Sequence, residues 1–273
     1  AYEYFGLFQS LEMPDAAWKN VAQEAAKHGL QLVFDIFGPR SLELALALGA
    51  AAVKLHVSDF FNEPLFDAAV HSSPHLYFSV GGITATEVDN RLNRYDPAAR
   101  SKLTMMVGFQ AEPTKLEDNH VKRLETWRRR FPDLRLGFMD HANGDSDEAG
   151  WLGMLAVAFG VCVVEKHITL ERTLRLEDYV SAATPTEFAR YVHRLRSAQA
   201  ACGSEVLELT EAERLYRQRA LKTLVASRDI PPGSRLGIQD LRQLRTPLDP
   251  CKEALRSFGD AVGRVLVRGI RRN

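Results

Sequence analysis

Cysteine is scarce in this sequence, and its scarcity excludes two kinds of site. The three cysteines, Cys162, Cys202 and Cys251, are odd in number and show no metal-type spacing. They therefore give neither a disulfide framework nor a cysteine-based metal site. Because Cys162 falls in an apolar, strand-like run, we expect a reduced protein of the cytoplasm.

Long apolar runs and a net charge are also missing. No run approaches the roughly 20 apolar residues of a membrane-spanning helix, and no signal peptide is visible at the start. Lysine plus arginine equals aspartate plus glutamate, at 35 each, so charge gives no reason to expect a nucleic acid or an anionic membrane as partner. The sequence begins at Ala1 and enters a helix-like stretch at once, from which we expect an incomplete N-terminus.

What the sequence does have is a regular alternation of short apolar runs with helical segments. Continuous apolar runs are typical of strands buried on both faces, and strict alternation with helices predicts a parallel sheet. The six runs span residues 31–37, 52–57, 76–81, 103–109, 135–141 and 161–167. The helices are predicted over residues 15–28, 39–48, 64–70, 84–95, 117–131 and 185–202. Polar residues at the carboxyl ends of the runs favour a (β/α)₈ barrel, with six of its eight strand–helix units visible.

The composition changes after Gly203, and the change predicts a second domain. We assign residues 1–204 to the barrel, residues 205–219 to a charged linker helix and residues 220–273 to a small β domain. Within the β domain, Lys222–Arg228 and Gly263–Gly269 are predicted to be short strands.

Two of the predicted strands end in histidine, and the segment that joins them organises the chain. Residues 135–141 end in Asp140-His141, and residues 161–167 end in Glu165-Lys166-His167. A strand–helix–strand unit of this length keeps its strands parallel, so both imidazoles are expected at the same edge of the sheet. The joining helix is predicted with Asp145 or Ser146 as N-cap, with Trp151, Leu152, Leu155 and Ala158 on one face, and with Gly160 at its C-terminal cap.

His141 and His167 form half of a metal site if their side chains converge. The alternative is that each imidazole packs in the core, with its nitrogens bonded to the backbone or to a carboxylate. Asp140 and Glu165 flank the pair, and a metal-bound histidine commonly needs a nearby carboxylate to fix its tautomer. Nitrogen and oxygen ligands with open positions suit a borderline divalent ion such as Mn²⁺.

Other polar residues fall within or just beyond the strands. Lys54 lies inside an apolar run, where an unpaired ammonium is costly, so it either meets an anion such as phosphate or forms a salt bridge within the barrel. Ser79 precedes Gly81-Gly82, whose amides either approach an anion or form a plain turn. The further candidates, each otherwise a solvated loop residue, are Asp35, Asp59, Gln110, Glu112 and Asp178.

The segment FMDHANGDSDEAGWLGMLAVAFGVCVVEKHITLER resembles the two-histidine segment of the sialic acid synthases. Supporting pieces follow in the family's order: AVKLHVSDFFNEPL, YFSVGGITATEV and AEPTKLED. KTLVASRDIPPGSRLGIQDLRQLR is similar to that family's C-terminal antifreeze-like (SAF) domain, so the resemblance covers residues 4–272. It implies a (β/α)₈ barrel in a homodimer with swapped SAF domains. It also implies condensation of phosphoenolpyruvate with an N-acetylated mannosamine-type sugar in surface polysaccharide biosynthesis.

The resemblance also implies roles for individual residues. The family binds a divalent ion, usually Mn²⁺, through two histidines, and these match His141 and His167. The resemblance implies that Asp59 and Asp178 make catalytic contacts with the sugar. The residues for which it implies substrate binding are Lys54, Ser79, Gln110, Glu112, Asp140 and Lys166.

Several positions depart from the family's pattern. Met139 stands in place of a serine, Asp35 in place of a threonine and Val57 in place of a second serine, while Gln110 and Glu112 replace an asparagine and a tyrosine. The first two strands of the family's barrel lie outside this chain, so we expect it to be inactive alone. Three hypotheses follow: the synthase, another metal-dependent aldol-type enzyme on the same barrel, or a non-catalytic carbohydrate-binding homologue.

Overall fold

The computed structural model describes residues 5–111, 113–246 and 254–272. Three residues named above, Ala1, Glu112 and Cys251, lie outside the described residues. The chain divides after Gly203 into two compact units, which are taken separately below. Within the described ranges, no helix has the length and apolar character needed to cross a bilayer.

A parallel sheet of six strands forms the centre of the first unit, as predicted. The strands pair in chain order, so each one lies beside the strand that follows it in the sequence. Their bounds are β1 (Val33–Ile36), β2 (Ala52–Leu55), β3 (Leu76–Ser79), β4 (Leu103–Val107), β5 (Arg135–Asp140) and β6 (Val163–Lys166). Each is one to three residues shorter than its apolar run.

Helices alternate with these strands, and the sequence shows why several of them begin where they do. The Thr84 hydroxyl accepts a hydrogen bond from the backbone N–H of Glu87, whose carboxylate accepts from the backbone N–H of Thr84, which completes a capping box. Glu187 occupies the equivalent position in the last helix of this unit, where its carboxylate accepts from the backbone N–H of Thr184. The helices of this unit are α1 (Phe5–Leu11), α2 (Asp15–Lys27), α3 (Pro39–Ala47), α4 (Glu63–Ser72), α5 (Ala85–Leu92), α6 (Pro97–Arg100), α7 (Arg123–Arg130), α8 (Leu152–Ala158) and α9 (Pro185–Cys202).

The sheet is strongly curled. Lys54 on β2 reaches Glu165 on β6 with 3.0 Å between the ammonium nitrogen and a carboxylate oxygen. In a flat sheet four strand spacings would separate these strands by roughly 19 Å. The ion pair therefore requires the sheet to close round a concave face, as the section of a (β/α)₈ barrel does.

The main core lies between the convex face of the sheet and the helices. Phe60, Phe66 and Phe78 are at most 1% exposed and pack ring to ring, with centroids 5.6–6.4 Å apart. Such a cluster contributes both buried area and edge-to-face contacts. It fixes the layer of helices against the strands that carry the site.

Two helix predictions were wrong in detail. The helix between the histidines begins at Leu152, after a 3₁₀ turn at Asp147–Gly150, and Leu155 is 44% exposed instead of buried. Its inner face is formed by Leu152, Gly153 and Ala156, because α8 packs against both β5 and α9, and Gly153 faces Tyr191. The helix expected over residues 117–131 is a 3₁₀ turn at Leu116–Asn119 followed by the separate α7.

The second unit is small and mostly β. It contains α10 (Glu211–Ala220) and an antiparallel pair of β7 (Thr223–Ala226) with β8 (Leu241–Leu244). Gly263–Gly269 is not a strand as predicted, since it makes only a single bridge, between Arg235 and Val265. Ala226, Ile230, Leu236 and Ala261 form its small core.

We predict that Phe66→Ala lowers the free energy of unfolding of the first unit by about 3–5 kcal/mol, because it leaves a cavity in the aromatic cluster. Urea unfolding followed by tryptophan fluorescence measures this, since Trp18, Trp127 and Trp151 all lie in that unit. Phe61→Ala is the matched control, because Phe61 is 60% exposed, and it should cost less than about 1 kcal/mol. Equal losses would show that the cluster is not the core.

Candidate active site

The pairing of β5 with β6 brings the two histidines together. Asp140 lies opposite Lys166 in the parallel register, so His141 and His167 follow at the same level of the sheet. Their ring centroids are 5.0 Å apart, with an angle of 49° between the ring planes. The convergence expected from the sequence is therefore present at the carboxyl edge of the sheet.

The two imidazoles offer the donor atoms that a metal needs. His141 Nδ1 and His167 Nε2 are buried, and neither has a hydrogen-bond partner among the described residues. A buried nitrogen without a partner is costly, and a metal ion would satisfy both nitrogens. No group of three or more metal-ligating side chains occurs in the part of the chain that the structure describes, so water or substrate would complete the coordination.

The electrostatic surroundings keep His141 neutral. Burial, aided by His167, Lys54 and Lys166, lowers the pKa of His141 to about 4. An imidazole that is neutral at physiological pH has the lone pair that binds a cation. The chemistry of the pair fits a divalent ion, whereas the metal itself remains a prediction.

Asp178 and Gln110 adjoin the histidine pair. Asp178 Oδ2 lies 3.5 Å from His167 Nδ1, and its other carboxylate oxygen accepts a hydrogen bond from Gln110. A carboxylate on Nδ1 directs Nε2 toward a ligand. Asp178 also has φ of 59°, a left-handed conformation that costs energy in a residue other than glycine. The structure thus gathers three predicted site residues, His167, Asp178 and Gln110.

An arginine that the sequence analysis missed holds the loop of Asp178 in place. Arg172 bonds both carboxylate oxygens of Glu187, at 2.6 and 2.9 Å, and also bonds Asp145 and the carbonyl oxygen of Ala182. It therefore joins the loop after β6 to the loop after β5 and to the first turn of α9. The capping-box position of Glu187 was the signal available in the sequence.

Lys54 occupies the concave face between two carboxylates. Its ammonium lies 3.0 Å from Asp35 and 3.0 Å from Glu165, and its side chain is 12% exposed. Burial acts to lower the pKa of Lys54, but the two carboxylates outweigh it and the pKa is raised. Of the two interpretations offered by the sequence, the salt bridge is present, and the anion-binding role stays a prediction.

Ser79 lies on the same concave face, beside a position where the sequence departs from the family's pattern. Its hydroxyl is buried and lies 3.5 Å from the sulfur of Met139 on β5. Thioether sulfur is a weak acceptor, so the hydroxyl keeps the capacity to bond a stronger one.

The remaining predicted residues have partners within the protein. Asp59 follows β2 in the 3₁₀ turn Val57–Asp59 and accepts hydrogen bonds from Ser58 and Asn62. Asp140 and Lys166 are buried and bonded to each other at 3.0 Å. Contact of these three residues with substrate stays a prediction, as does that of Glu112, which lies outside the described residues.

Comparisons with known proteins were made against families, curated proteins and solved structures. The model of the NeuB family matches residues 1–207, and that of the SAF domain matches residues 222–273. The N,N'-diacetyllegionaminic acid synthase of Campylobacter jejuni is 25% identical over 229 residues, which cover 83% of this chain and 67% of that protein. The N-acetylneuraminate-9-phosphate synthase of Homo sapiens is 31% identical over 226 residues, covering 83% of this chain and 61% of that protein. The chain thus spans about two thirds of the length of these relatives.

A solved structure supports the fold. The putative spore coat polysaccharide biosynthesis protein E from Chromobacterium violaceum superposes with a TM-score of 0.77 at 20% identity. The match covers 98% of this chain and 80% of that one.

We predict that stability falls with acid partly through Glu187. Its pKa is lowered to about 2, first by the hydrogen bonds from Arg172. A depressed carboxyl pKa contributes stability that is present above the unfolded-state pKa of about 4.3 and is lost as the pH falls through about 2. The free energy of unfolding should therefore decline less steeply over this window in Glu187→Gln than in the wild type, as urea titrations at each pH will show.

Glu87→Gln is the matched control for this prediction. Glu87 occupies the same capping-box position in α5, and its pKa is lowered by the Thr84 bonds alone, without an arginine. Its replacement should change the pH dependence less than that of Glu187. An equal change in both variants would mean that the Arg172 pair contributes nothing.

Proposed function

The chain belongs to the NeuB family, and on that basis we propose that it condenses phosphoenolpyruvate with an N-acetylated mannosamine-type sugar to form a nonulosonic acid. Phosphate is released in the reaction, and the product serves surface polysaccharide biosynthesis. The observation that carries the proposal is the convergence of His141 and His167, with an unpartnered buried nitrogen on each among the described residues.

The relatives support the reaction class. One is a synthase of diacetyllegionaminic acid and another a synthase of N-acetylneuraminate 9-phosphate. We carry over the class of product, an acidic sugar, and leave the identity of the amino sugar open.

We assign different residues of the site to each of the two substrates. A divalent ion held by His141 and His167, for which we propose Mn²⁺, would supply Lewis-acid polarisation of the sugar aldehyde. We assign to Asp178, which accepts a hydrogen bond from Gln110, the role of holding a hydroxyl of the open-chain sugar. Asp59 is the second carboxylate that we assign to the sugar.

Lys54 and Ser79 are assigned to phosphoenolpyruvate on the concave face. The electron pair of the C2=C3 double bond of phosphoenolpyruvate forms a bond from C3 to the aldehyde carbon, and the aldehyde oxygen takes up a proton to become a hydroxyl. Water adds at C2 and loses its protons, the C2–O bond to the phosphate breaks, and inorganic phosphate leaves with that oxygen, while the oxygen from water becomes the C2 ketone. Phosphoenolpyruvate, a trianion, would compete with Asp35 and Glu165 for the Lys54 ammonium. Asp35 is the more exposed of the two partners, at 35% against 28% for Glu165, and so is the easier to displace.

The engagement of Lys54 also favours a second candidate. Another metal-dependent aldol-type reaction on the same barrel would use the histidines and need no phosphate site. Metal-dependent carbonyl chemistry without dependence on phosphoenolpyruvate would distinguish it. Sugar binding with neither metal nor turnover, measured by calorimetry, would instead indicate a non-catalytic carbohydrate-binding homologue.

The assembly and location are proposed from the family. We propose a homodimer with swapped SAF domains in the cytoplasm, with no nucleic acid or membrane as partner. A monomer in analytical ultracentrifugation at micromolar concentration would contradict the dimer.

The synthase activity is tested by phosphate release. The full-length protein, given Mn²⁺, phosphoenolpyruvate and a panel of N-acetylated hexosamines, should release phosphate with one of them. His141→Ala and His167→Ala should each lower kcat by at least about 100-fold and lower the bound Mn²⁺, because each removes one ligand nitrogen. His193→Ala, an exposed histidine on α9, should do neither. No release with any sugar, together with unchanged metal content in the two variants, would contradict the proposal.

We predict that Asp35→Thr lowers KM for phosphoenolpyruvate about 3- to 10-fold. The change removes a carboxylate 3.0 Å from the Lys54 ammonium, and its competition with the incoming anion is weakened but not abolished by solvent. Steady-state kinetics at fixed sugar concentration measure the effect. Asp15→Asn is the control for loss of one negative charge, since Asp15 pairs with the exposed Arg40, and KM should not change. An unchanged KM in Asp35→Thr would show that this carboxylate does not oppose substrate binding.

A further inference from the structure

Lys166 holds the backbone of the histidine on the neighbouring strand. Its ammonium lies 3.0 Å from Asp140 Oδ1 and 3.4 Å from each of the carbonyl oxygens of Asp140 and Ala142. These two carbonyls stand immediately before and after His141. Because Lys166 itself precedes His167, one side chain connects the backbone positions of both histidines.

Asp140 completes the connection from its own strand. One carboxylate oxygen accepts from the backbone N–H of Ala142 at 3.1 Å, and the other accepts from the hydroxyl of Tyr191 at 2.6 Å. Asp140 is fully buried and the side chain of Lys166 is 2% exposed. With solvent excluded, the carboxylate depends on these protein donors, so a missing donor is costly.

Tyr191 brings the helix layer into this network. It extends from α9, is 3% exposed, and its ring lies 5.9 Å from the Lys166 ammonium, within cation–π range. No step of the proposed reaction uses Tyr191. Its buried hydroxyl nevertheless bonds a buried carboxylate at the point where both histidine-bearing strands end.

A glycine on α8 leaves the space that the Tyr191 side chain occupies. Gly153 lies on the buried face of α8, where glycine costs about 1 kcal/mol relative to alanine. A Cβ at Gly153 would come within 2.1 Å of the Tyr191 hydroxyl oxygen. The glycine is therefore required for the tyrosine to reach Asp140.

We propose that Tyr191, Asp140 and Lys166 form a brace that holds the two imidazoles at the spacing needed to bind one cation, with Tyr191 as a positioning residue. The brace acts through the backbone on either side of His141. The inference rests on the proposed function only in the identity of the ligand, a divalent cation. Asp140 and Lys166, for which the family resemblance implies contact with substrate, are in this proposal also members of the brace.

Tyr191→Phe tests the brace, because it keeps the ring and removes the bond to Asp140. Titration with Mn²⁺ alone, followed by EPR of the free ion, should give a Kd at least about tenfold weaker than in the wild type. In the metal-free protein, the imidazole ¹H–¹⁵N signals of His141 and His167 should shift or broaden, while those of His75 and His193 should not. Gly153→Ala should reproduce both effects with the tyrosine intact.

Tyr95→Phe is the matched control. Tyr95 also donates its hydroxyl to a carboxylate, that of Asp67, but on the α4–α5 side of the unit. It should lower the melting temperature by a few degrees, as Tyr191→Phe does, and leave the Mn²⁺ affinity unchanged. Equal weakening of Mn²⁺ binding in the two variants would reduce the effect to general stability and overturn the brace.

Failure of the brace and failure of the proposed function give different results. If the wild type binds no Mn²⁺, the proposed function fails, and the imidazole spectra of the metal-free proteins still decide the brace. Unchanged His141 and His167 signals in Tyr191→Phe, or a Kd for Mn²⁺ within twofold of the wild type, would overturn it.

Discussion

The parallel register of β5 and β6 is the constraint on which the site depends. Asp140 pairs with Lys166, so the next residues along the two strands, His141 and His167, reach the same level and turn toward the same face. Side chains alternate between faces with a period of two, so a slip of one residue would place the imidazoles on opposite sides of the sheet. Apolar side chains packed against the helices stabilise this register. Two ion pairs at the strand ends stabilise it as well, Lys54 with Glu165 on the concave face and Lys166 with Asp140 on the opposite face.

The same alternation produces two separate charge networks. Glu165 turns to the concave face and meets Lys54, whereas the adjacent Lys166 turns toward the helices and meets Asp140 and Tyr191. The first network is partly open to solvent and is where an anion can compete. The second is sealed, and because burying an ion pair costs desolvation energy, its value lies in fixing geometry more than in stability.

Much of the fold and part of the site could be predicted from the sequence. The six strands, the capping box at Thr84 and the convergence of His141 with His167 follow from local patterns, and these patterns survive in the structure. Long-range partners do not leave such patterns. Lys54 bonds Glu165, 111 residues away, only because the sheet curls. Arg172 bonds Glu187 only because the loop after β6 lies against the first turn of α9. Leu155 was misplaced because α8 turns Gly153 toward Tyr191 on α9 and leaves Leu155 exposed, a tertiary contact that hydrophobic periodicity alone does not reveal.

The proposed binding of one cation by both histidines is tested directly by pulsed EPR of the Mn²⁺-loaded full-length protein with ¹⁵N-labelled histidine. The expected spectrum contains hyperfine couplings from two imidazole nitrogens. One coupling should disappear in His141→Ala and both should disappear when His167 is also replaced by alanine. Bound Mn²⁺ without any histidine coupling, or a coupling that persists in the double variant, would contradict the site described here.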